Sequence, residues 1–295
     1  MDIVHHTFIG GAGFVALAAQ EQELAGLAFL AGSVFPDLDV AFMAAGKRFY
    51  LKRHQGPTHS LPLVPAYAAL LAAPVALQIG WDWGLFLGLC AGLAVHVLLD
   101  LFNTFGIQLF WPITTRRFCL DAVFFIDAVA WAFTVGYLAL ATTGLVAAGA
   151  GAIGYAALFA AYALAKLALQ RRVKRRRAAD YAIPSAWNPF GFFLFTRRDG
   201  RLETAYYNAF TGRTSDARVM PDSSPEAAEL AQQSAVFRDM KSILRGLNIT
   251  RVDRGGDGIT VIAQDLAVRN FGGRFGRTEL KFDADGRLRH EMAHI

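Results

Sequence analysis

The stretch Leu169-Gln170-Arg171-Arg172-Val173-Lys174-Arg175-Arg176-Arg177 divides the chain, because apolar sequence ends there and a block of positive charge begins. Before it lie long runs of Ala, Leu, Phe, Val and Gly; after it the chain turns polar. Basic residues directly after an apolar helix mark its cytoplasmic end, since Lys and Arg concentrate in loops on the inner side of a membrane. Of 295 residues 54% are hydrophobic and only 18% charged, too apolar for an ordinary soluble protein. The sequence therefore reads as a membrane α-helical bundle over residues 1–177, followed by a cytoplasmic α+β domain over residues 178–295. The net charge of +5 follows from basic residues flanking apolar runs, so no nucleic-acid partner is expected. Two cysteines, Cys90 in an apolar run and Cys119 in a loop, make no disulfide framework. The first apolar run lacks a basic start and passes through Gln20-Glu21-Gln22-Glu23, so it is expected to stay in the mature protein.

A helix needs about 20 apolar residues to cross the hydrocarbon core. Residues 61–79, 83–102, 122–145 and 147–169 qualify as about four full spans, the first kinked by Pro62, Pro65 and Pro74. Residues 7–19 and 24–35 are shorter and read as an N-terminal helical hairpin packed into the bundle. Connections on the expected cytoplasmic side carry Lys47, Arg48, Lys52, Arg53, Arg116 and Arg117, whereas the opposite connections, 80–82 and 142–149, carry no Lys or Arg. Every loop agrees with one orientation.

Five of the seven histidines lie in the membrane half, near the cytoplasmic ends of its helices. His96 and Asp100 stand at i and i+4, on one helix face. Ionisable groups inside a membrane are costly and mark functional sites. A structural ion pair is the bland alternative. Asp37 and Asp39 follow Pro36, which ends the preceding helix; in an irregular segment both carboxylates can face one cation. A helix cap with a solvated acid is the commoner use of such residues. His54 and His59 bracket Gly56-Pro57, a turn signal, with Thr58 or Ser60 able to cap the helix that follows. Mixed imidazole and carboxylate donors suit Zn, Mn or Fe(II).

These motifs, in this order and spacing, resemble the YdjM-like family of membrane-bound, metal-dependent hydrolases: a histidine near the start, Pro36-Asp37-Leu38-Asp39, His54-Gln55-Gly56-Pro57-Thr58-His59-Ser60, His96-Val97-Leu98-Leu99-Asp100, then Gly106 and Leu109-Phe110-Trp111-Pro112. The resemblance covers roughly residues 1–135 and is specific because four separated motifs agree. It places the first histidine at His6 rather than His5 and implies His6, Asp37, Asp39, His54, His59, His96 and Asp100 as metal ligands. The chain has Gln55 and Pro57 where the family usually has an arginine and an aromatic. If that arginine holds a substrate phosphate, Arg53, Arg116 or Arg117 must replace it here. More distantly, the pattern is similar to zinc-dependent phospholipase C and the P1-type nucleases.

The expectation is thus a two-metal hydrolase, with zinc favoured over Mn or Fe. It would act at the cytoplasmic face on a phosphodiester or ester of a lipid-like substrate, with Asp37 or Asp39 accepting the proton of the attacking water. A metal-ion transporter would need polar residues through the far half of the helices, which are almost purely apolar. A non-catalytic anchor with a structural metal is the other alternative. Asp127 is expected either to orient a ligand histidine or to pair with Arg116 or Arg117.

His290-Glu291-Met292-Ala293-His294 spells a zincin pattern, which works only on a helix. It follows the turn signal Asp283-Ala284-Asp285-Gly286 and reads as a strand. Elsewhere in this domain, residues 192–196 and 202–210 flank Arg198-Asp199-Gly200 as a hairpin. Residues 225–247 read as one amphipathic helix, and 259–268, 278–282 and 288–292 as strands.

Overall fold

The computed structural model describes residues 1–198, 201–220, 225–244, 246–256, 258–269 and 276–294. The chain forms two compact units: Met1–Ala41 with Arg53–Leu169 and Pro184–Pro189, and Phe42–Lys52 with Gln170–Ile183 and Phe190–Ile295. Short segments are thus exchanged across the expected boundary at residue 177.

In the first unit α1 (Ile3–Ala18) and α2 (Glu23–Val34) form the hairpin. The α2 helix stops at Val34, but Phe35 before Pro36 keeps helical angles (φ −52°, ψ −44°), and in place of the expected irregular segment the chain winds on as a 3-10 helix over Phe35–Ala45. Between them α2 and this segment reach 23 residues, long enough to span. A short helix, α3 (Lys47–Arg53), precedes α4 (Val64–Ile79), α5 (Trp83–Leu101), α6 (Ala128–Thr142) and α7 (Ala148–Arg176). Among the described residues, four helices are long and apolar enough to cross a membrane: Glu23–Ala45, Leu61–Ile79, Trp83–Leu101 and Ala148–Arg176.

The expected span over 122–145 is shorter than its apolar run, with 15 helical residues. Its start is set by Asp127, whose Oδ1 accepts from the Val129 and Ala130 amides and caps the helix. The amides of Ala122 and Val123 instead bond the Phe102 carbonyl. The α4 helix also begins late. Two short 3-10 turns, Pro57–His59 and Leu61–Leu63, precede it, and Pro65 falls in its first turn, where a missing N–H costs nothing. Neither Thr58 nor Ser60 caps it.

The α2 and α5 helices pack backbone to backbone. A Cβ on Gly92 would collide with the Phe29 carbonyl oxygen, and one on Gly88 with that of Ala25. This small-xxx-small stripe permits the close approach that drives helix association in lipid. Leu85, Leu89 and Leu93 then bury against Ala28, Val64, Ala68 and Ala72. The last turns of α5 consequently lie beside the chain leaving α2.

The second unit holds two four-stranded antiparallel sheets. One comprises β1 (Tyr181–Pro184), β2 (Gly191–Arg198), β3 (Arg201–Asn208) and β4 (Arg218–Met220). The other comprises β5 (Leu247–Gly255), β6 (Gly258–Asp265), β7 (Arg277–Phe282) and β8 (Leu288–His294). The hairpin of β2 and β3 pairs as expected, Phe192 facing Tyr207; its turn residues Asp199 and Gly200 lie outside the described residues. The single helix expected over 225–247 is two, α8 (Pro225–Gln233) and α9 (Ala235–Ile243). Ser234 breaks it by accepting the Phe237 amide and capping α9, and from Leu247 the chain is strand. Likewise β6 stops at Asp265, whose carboxylate accepts the Ala267 amide and starts α10 (Leu266–Arg269). Phe237, Met240, Val261, Leu280 and Phe282 form the core, joined by Leu51 of α3.

Candidate metal centre

The close pairing of α2 with α5 sets two acidic and two imidazole groups at one point. His96 and Asp100 project from the last turns of α5, Asp37 from the 3-10 segment after α2, and His59 from the turn before α4. One donor atom from each lies within 4.8 Å of all the others. His59 Nε2 is 3.2 Å from His96 Nε2, 3.3 Å from Asp100 Oδ2 and 3.6 Å from Asp37 Oδ1. His96 Nε2 is 3.6 Å from both Asp37 Oδ1 and Asp100 Oδ2. Ligands at about 2.1 Å from a tetrahedral ion are separated by about 3.4 Å, and these five edges of 3.2–3.6 Å are close to that spacing. Two carboxylates and two neutral imidazoles would also balance a divalent charge, which a buried site requires. The four residues could hold a metal ion.

Surrounding groups fix the donors. His96 Nδ1–H donates to the Ser33 carbonyl at 2.7 Å, which leaves the Nε2 lone pair facing the centre. Asp37 Oδ2 and Asp100 Oδ2 are buried without a hydrogen-bond partner. His59, in the loop ahead of α4, is pushed down by burial, yet its contacts with Asp100 and Asp37 lift it to about 9. Its Nε2 is crowded by three acceptors, the environment of a cation. Asp37 is 12% exposed at its side chain, against 1% or less for His59, His96 and Asp100. The open side of the centre is therefore Asp37's.

The remaining expected ligands stand one step back. His6 Nε2 lies 3.1 Å from Asp100 Oδ1, and its ring stacks on His96 with centroids 3.7 Å apart; the Met1 amino group also contacts Asp100 Oδ1. His5 turns away, stacked on Trp131 and bonded to Thr134. Asp39 is buried with both oxygens engaged: Oδ1 takes His54 Nδ1 at 2.7 Å, and Oδ2 takes the Gln55 amide and Thr58 hydroxyl. Thr58 Oγ1 also lies 3.1 Å from His59 Nδ1. Asp39 and Thr58 thus shape the loop that presents His59. The roles of Ser33 and Thr58 were missed in the sequence. Ser33 acts through its carbonyl, which leaves no residue-type signal, whereas Thr58 lay inside the histidine motif and was read there as a cap.

The segment 106–111 runs along this loop: the Gln108 amide bonds the Gln55 carbonyl, the Leu61 amide bonds the Leu109 carbonyl, and Ser60 Oγ donates to the Trp111 carbonyl. Arg117 closes the arrangement by donating to the Gly106 and His54 carbonyls at 2.7 and 2.9 Å. Burial lowers its guanidinium to about 10 against the pull of Asp39. Arg53 is exposed, and Arg116 lies over the Phe118 ring at 5.4 Å. Asp127 meets neither a ligand histidine nor Arg116 or Arg117. It accepts from Tyr162 at 2.8 Å and lies 3.9 Å from Lys166 Nζ, because its capping position faces α7. His290 and His294 lie on β8, opposite Lys281 and Arg277, and belong to no donor group among the described residues.

Apolar helices enclosing a buried His/Asp centre at one end define a membrane protein with a candidate metal site. Residues 1–173 match the YdjM inner membrane protein family, and the chain belongs to it. It is also similar to the uncharacterized protein YfhP of Bacillus subtilis (strain 168), 30% identical over 155 residues, which make up 51% of this chain and 46% of YfhP. The chain therefore aligns with about half the length of that relative. No solved structure matches, so the more distant likeness to zinc-dependent phospholipase C and the P1-type nucleases rests on the motif pattern alone.

Proposed function

We propose that the protein is a metal-dependent hydrolase, with zinc in the four-donor centre, acting on a phosphodiester or ester of an amphiphile at the cytoplasmic membrane face. The observation that carries this reading is the cluster of Asp37, His59, His96 and Asp100, in which three donors are buried and Asp37, the most exposed, is placed to yield its position on the ion to a water. Structural zinc sites are closed by their ligands, whereas catalytic ones keep access for water and substrate. When bound, the ion supplies the Lewis acidity that makes water a nucleophile near neutral pH. Asp37 Oδ2, buried without a partner, receives the proton. Asp39 is unsuited to that role because both its oxygens already accept hydrogen bonds. The expected second ion would need Asp39 and His54, whose facing atoms now bond each other. Arg53 and Arg116, both exposed, are the candidates for a substrate phosphate, whereas Arg117 is mostly buried against backbone carbonyls.

The test is elemental analysis of unchelated, purified protein together with a hydrolysis screen over phospholipids and other lipid esters. About one ion per chain and metal-dependent turnover are expected, two ions if Asp39 and His54 also bind. Protein that holds no transition metal would overturn the reading. Orientation is tested separately with single-cysteine variants: strong labelling at position 116 from the periplasmic side would move the site to the other leaflet.

A further inference from the structure

An apolar groove reaches the segment of chain that carries Asp37. A groove of about 450 Å³ lies between α2, α4 and α5, lined entirely by apolar side chains; this is the size of ligand pockets, about 300–1,000 Å³. Leu24 and Leu27 line one end, Leu71 and Val75 the facing wall, and Phe35 and Leu38 the other end. Phe35 and Leu38 bracket Pro36-Asp37, and Asp37 is the most exposed donor of the centre. All three walls belong to helices long and apolar enough to span a membrane, where a groove between them would be open to acyl chains. The 12 residues of α2 rise about 18 Å at 1.5 Å each, close to the roughly 15 Å of one leaflet's hydrocarbon.

We infer that this groove seats one acyl chain of a membrane lipid, with the chain's head end held at Leu38 so that the ester or phosphoester lies beside Asp37. The site rests on the hydrolase reading only for the fate of the headgroup. Lipid tails are as apolar as leucine, so the groove gains little by desolvation. Its contribution is alignment, placing a reacting bond by confining the chain attached to it. A second apolar groove of about 360 Å³ between α1, α5 and α7 lacks this adjacency to Asp37 and serves as an internal reference.

The probe is a phosphatidylglycerol bearing a diazirine at the tail of one acyl chain, in nanodiscs containing the full chain. Photolysis should place adducts on Leu24 and Leu27 about fivefold above Leu77 and Ile153, a ratio equal to about 1 kcal/mol of preference; these two reference residues are 88% and 74% exposed. Ala31→Trp, which fills the groove from α2, should remove that excess and leave metal content and labelling of the second groove unchanged. Leu71→Trp, from α4, repeats the test should the first variant misfold. Equal labelling of Leu27 and Ile153 in the unaltered protein, or an excess surviving both substitutions with metal retained, would overturn the acyl site. Selective labelling without any hydrolysis would leave the groove standing and remove the hydrolase reading; hydrolysis with uniform labelling would do the reverse.

Discussion

Two parts of this molecule carry a metal-ligand pattern at the same spacing, and among the described residues only one belongs to a cluster that could hold an ion. His96 and Asp100 are four residues apart on α5, and so are His290 and His294 on β8. Four residues of helix rise about 6 Å and return to the same face, which brings His96 Nε2 within 3.6 Å of Asp100 Oδ2. Four residues of strand extend about 13 Å. The terminal histidines also share a face, but that separation is too wide for one ion. A spacing pattern thus acquires chemical meaning only through the element that carries it, and through what packs there. On α5 the glycine contact with α2 delivers Asp37 and the Ser33 carbonyl; on β8 the neighbours are Lys281 and Arg277, which repel a cation.

The largest expected effect breaks the comparison at its centre. His59→Ala, or His96→Ala combined with Asp100→Ala, should abolish metal binding, measured by elemental analysis and competition with a chelator. Either removes one or two of the three buried donors, His59, His96 and Asp100, that would hold the ion with Asp37 at its accessible side. Retention of one ion per chain in both variants would mean that the metal sits elsewhere. A smaller loss is expected for Asp39→Asn. Asp39 holds His54 and the turn through Gln55 and Thr58 without facing the centre, and substitutions of such supporting groups weaken metal affinity by about 10–100-fold. Complete loss would make Asp39 a ligand, as the family resemblance implied, and would favour the two-ion form.

Acidity sharpens the contrast further. In metal-free protein the His59 pKa is raised to about 9, so at neutral pH its imidazole carries a proton that a metal must displace. Affinity should therefore rise about tenfold per pH unit between pH 7 and 8 and level off above 9. The stability of metal-free protein runs the opposite way. A folded-state pKa raised above about 6.5 gives a contribution fully present below that value and lost as pH rises through 9. Thermal melts of metal-free protein at pH 6, 8 and 10 should fall in that order through this group, and His59→Gln should flatten the trend. A pH-independent chelator titration would show that His59 is already deprotonated.

What the sequence made legible were features written in residue type at helical spacing. His96 and Asp100, the proline after α2, the turn at Gly56-Pro57 and the basic block at Arg171 each carry their own signal, and they marked the apolar bundle and seven candidate ligands, four of which cluster. What escaped was decided by single hydrogen bonds between distant groups. Nothing in residue type shows that Asp39 bonds His54, the Gln55 amide and the Thr58 hydroxyl, and so lies outside the four-donor cluster. The helix over 122–145 looks like a full span until Asp127 caps it at Ala128. Ser234 lies inside an amphipathic pattern that continues across it, so the break between α8 and α9 appears only in its bond to the Phe237 amide. The strand β5 alternates from Leu247 to Ile249 and then changes phase at a register shift between Ile249 and Arg251, so its two-residue period breaks in mid-strand.

The smallest expected effect is at the other member of the comparison. His290→Ala and His294→Ala, singly or together, should leave metal content unchanged and shift stability by no more than about 0.5 kcal/mol, the usual range for surface substitutions. His290 is exposed and His294 half-buried on β8. Glu291, the residue that a zincin would use as its base, accepts a hydrogen bond from Ser234 Oγ at 2.7 Å and so ties β8 to the start of α9. Glu291→Gln should therefore act on folding and not on metal, costing about 1 kcal/mol for a weakened hydrogen bond. The three variants are read by one pair of measurements, a denaturation midpoint and a metal content. A fall in metal content in any of them, with the midpoint unmoved, would give the zincin spacing a chemical role on a strand and remove the distinction between β8 and α5.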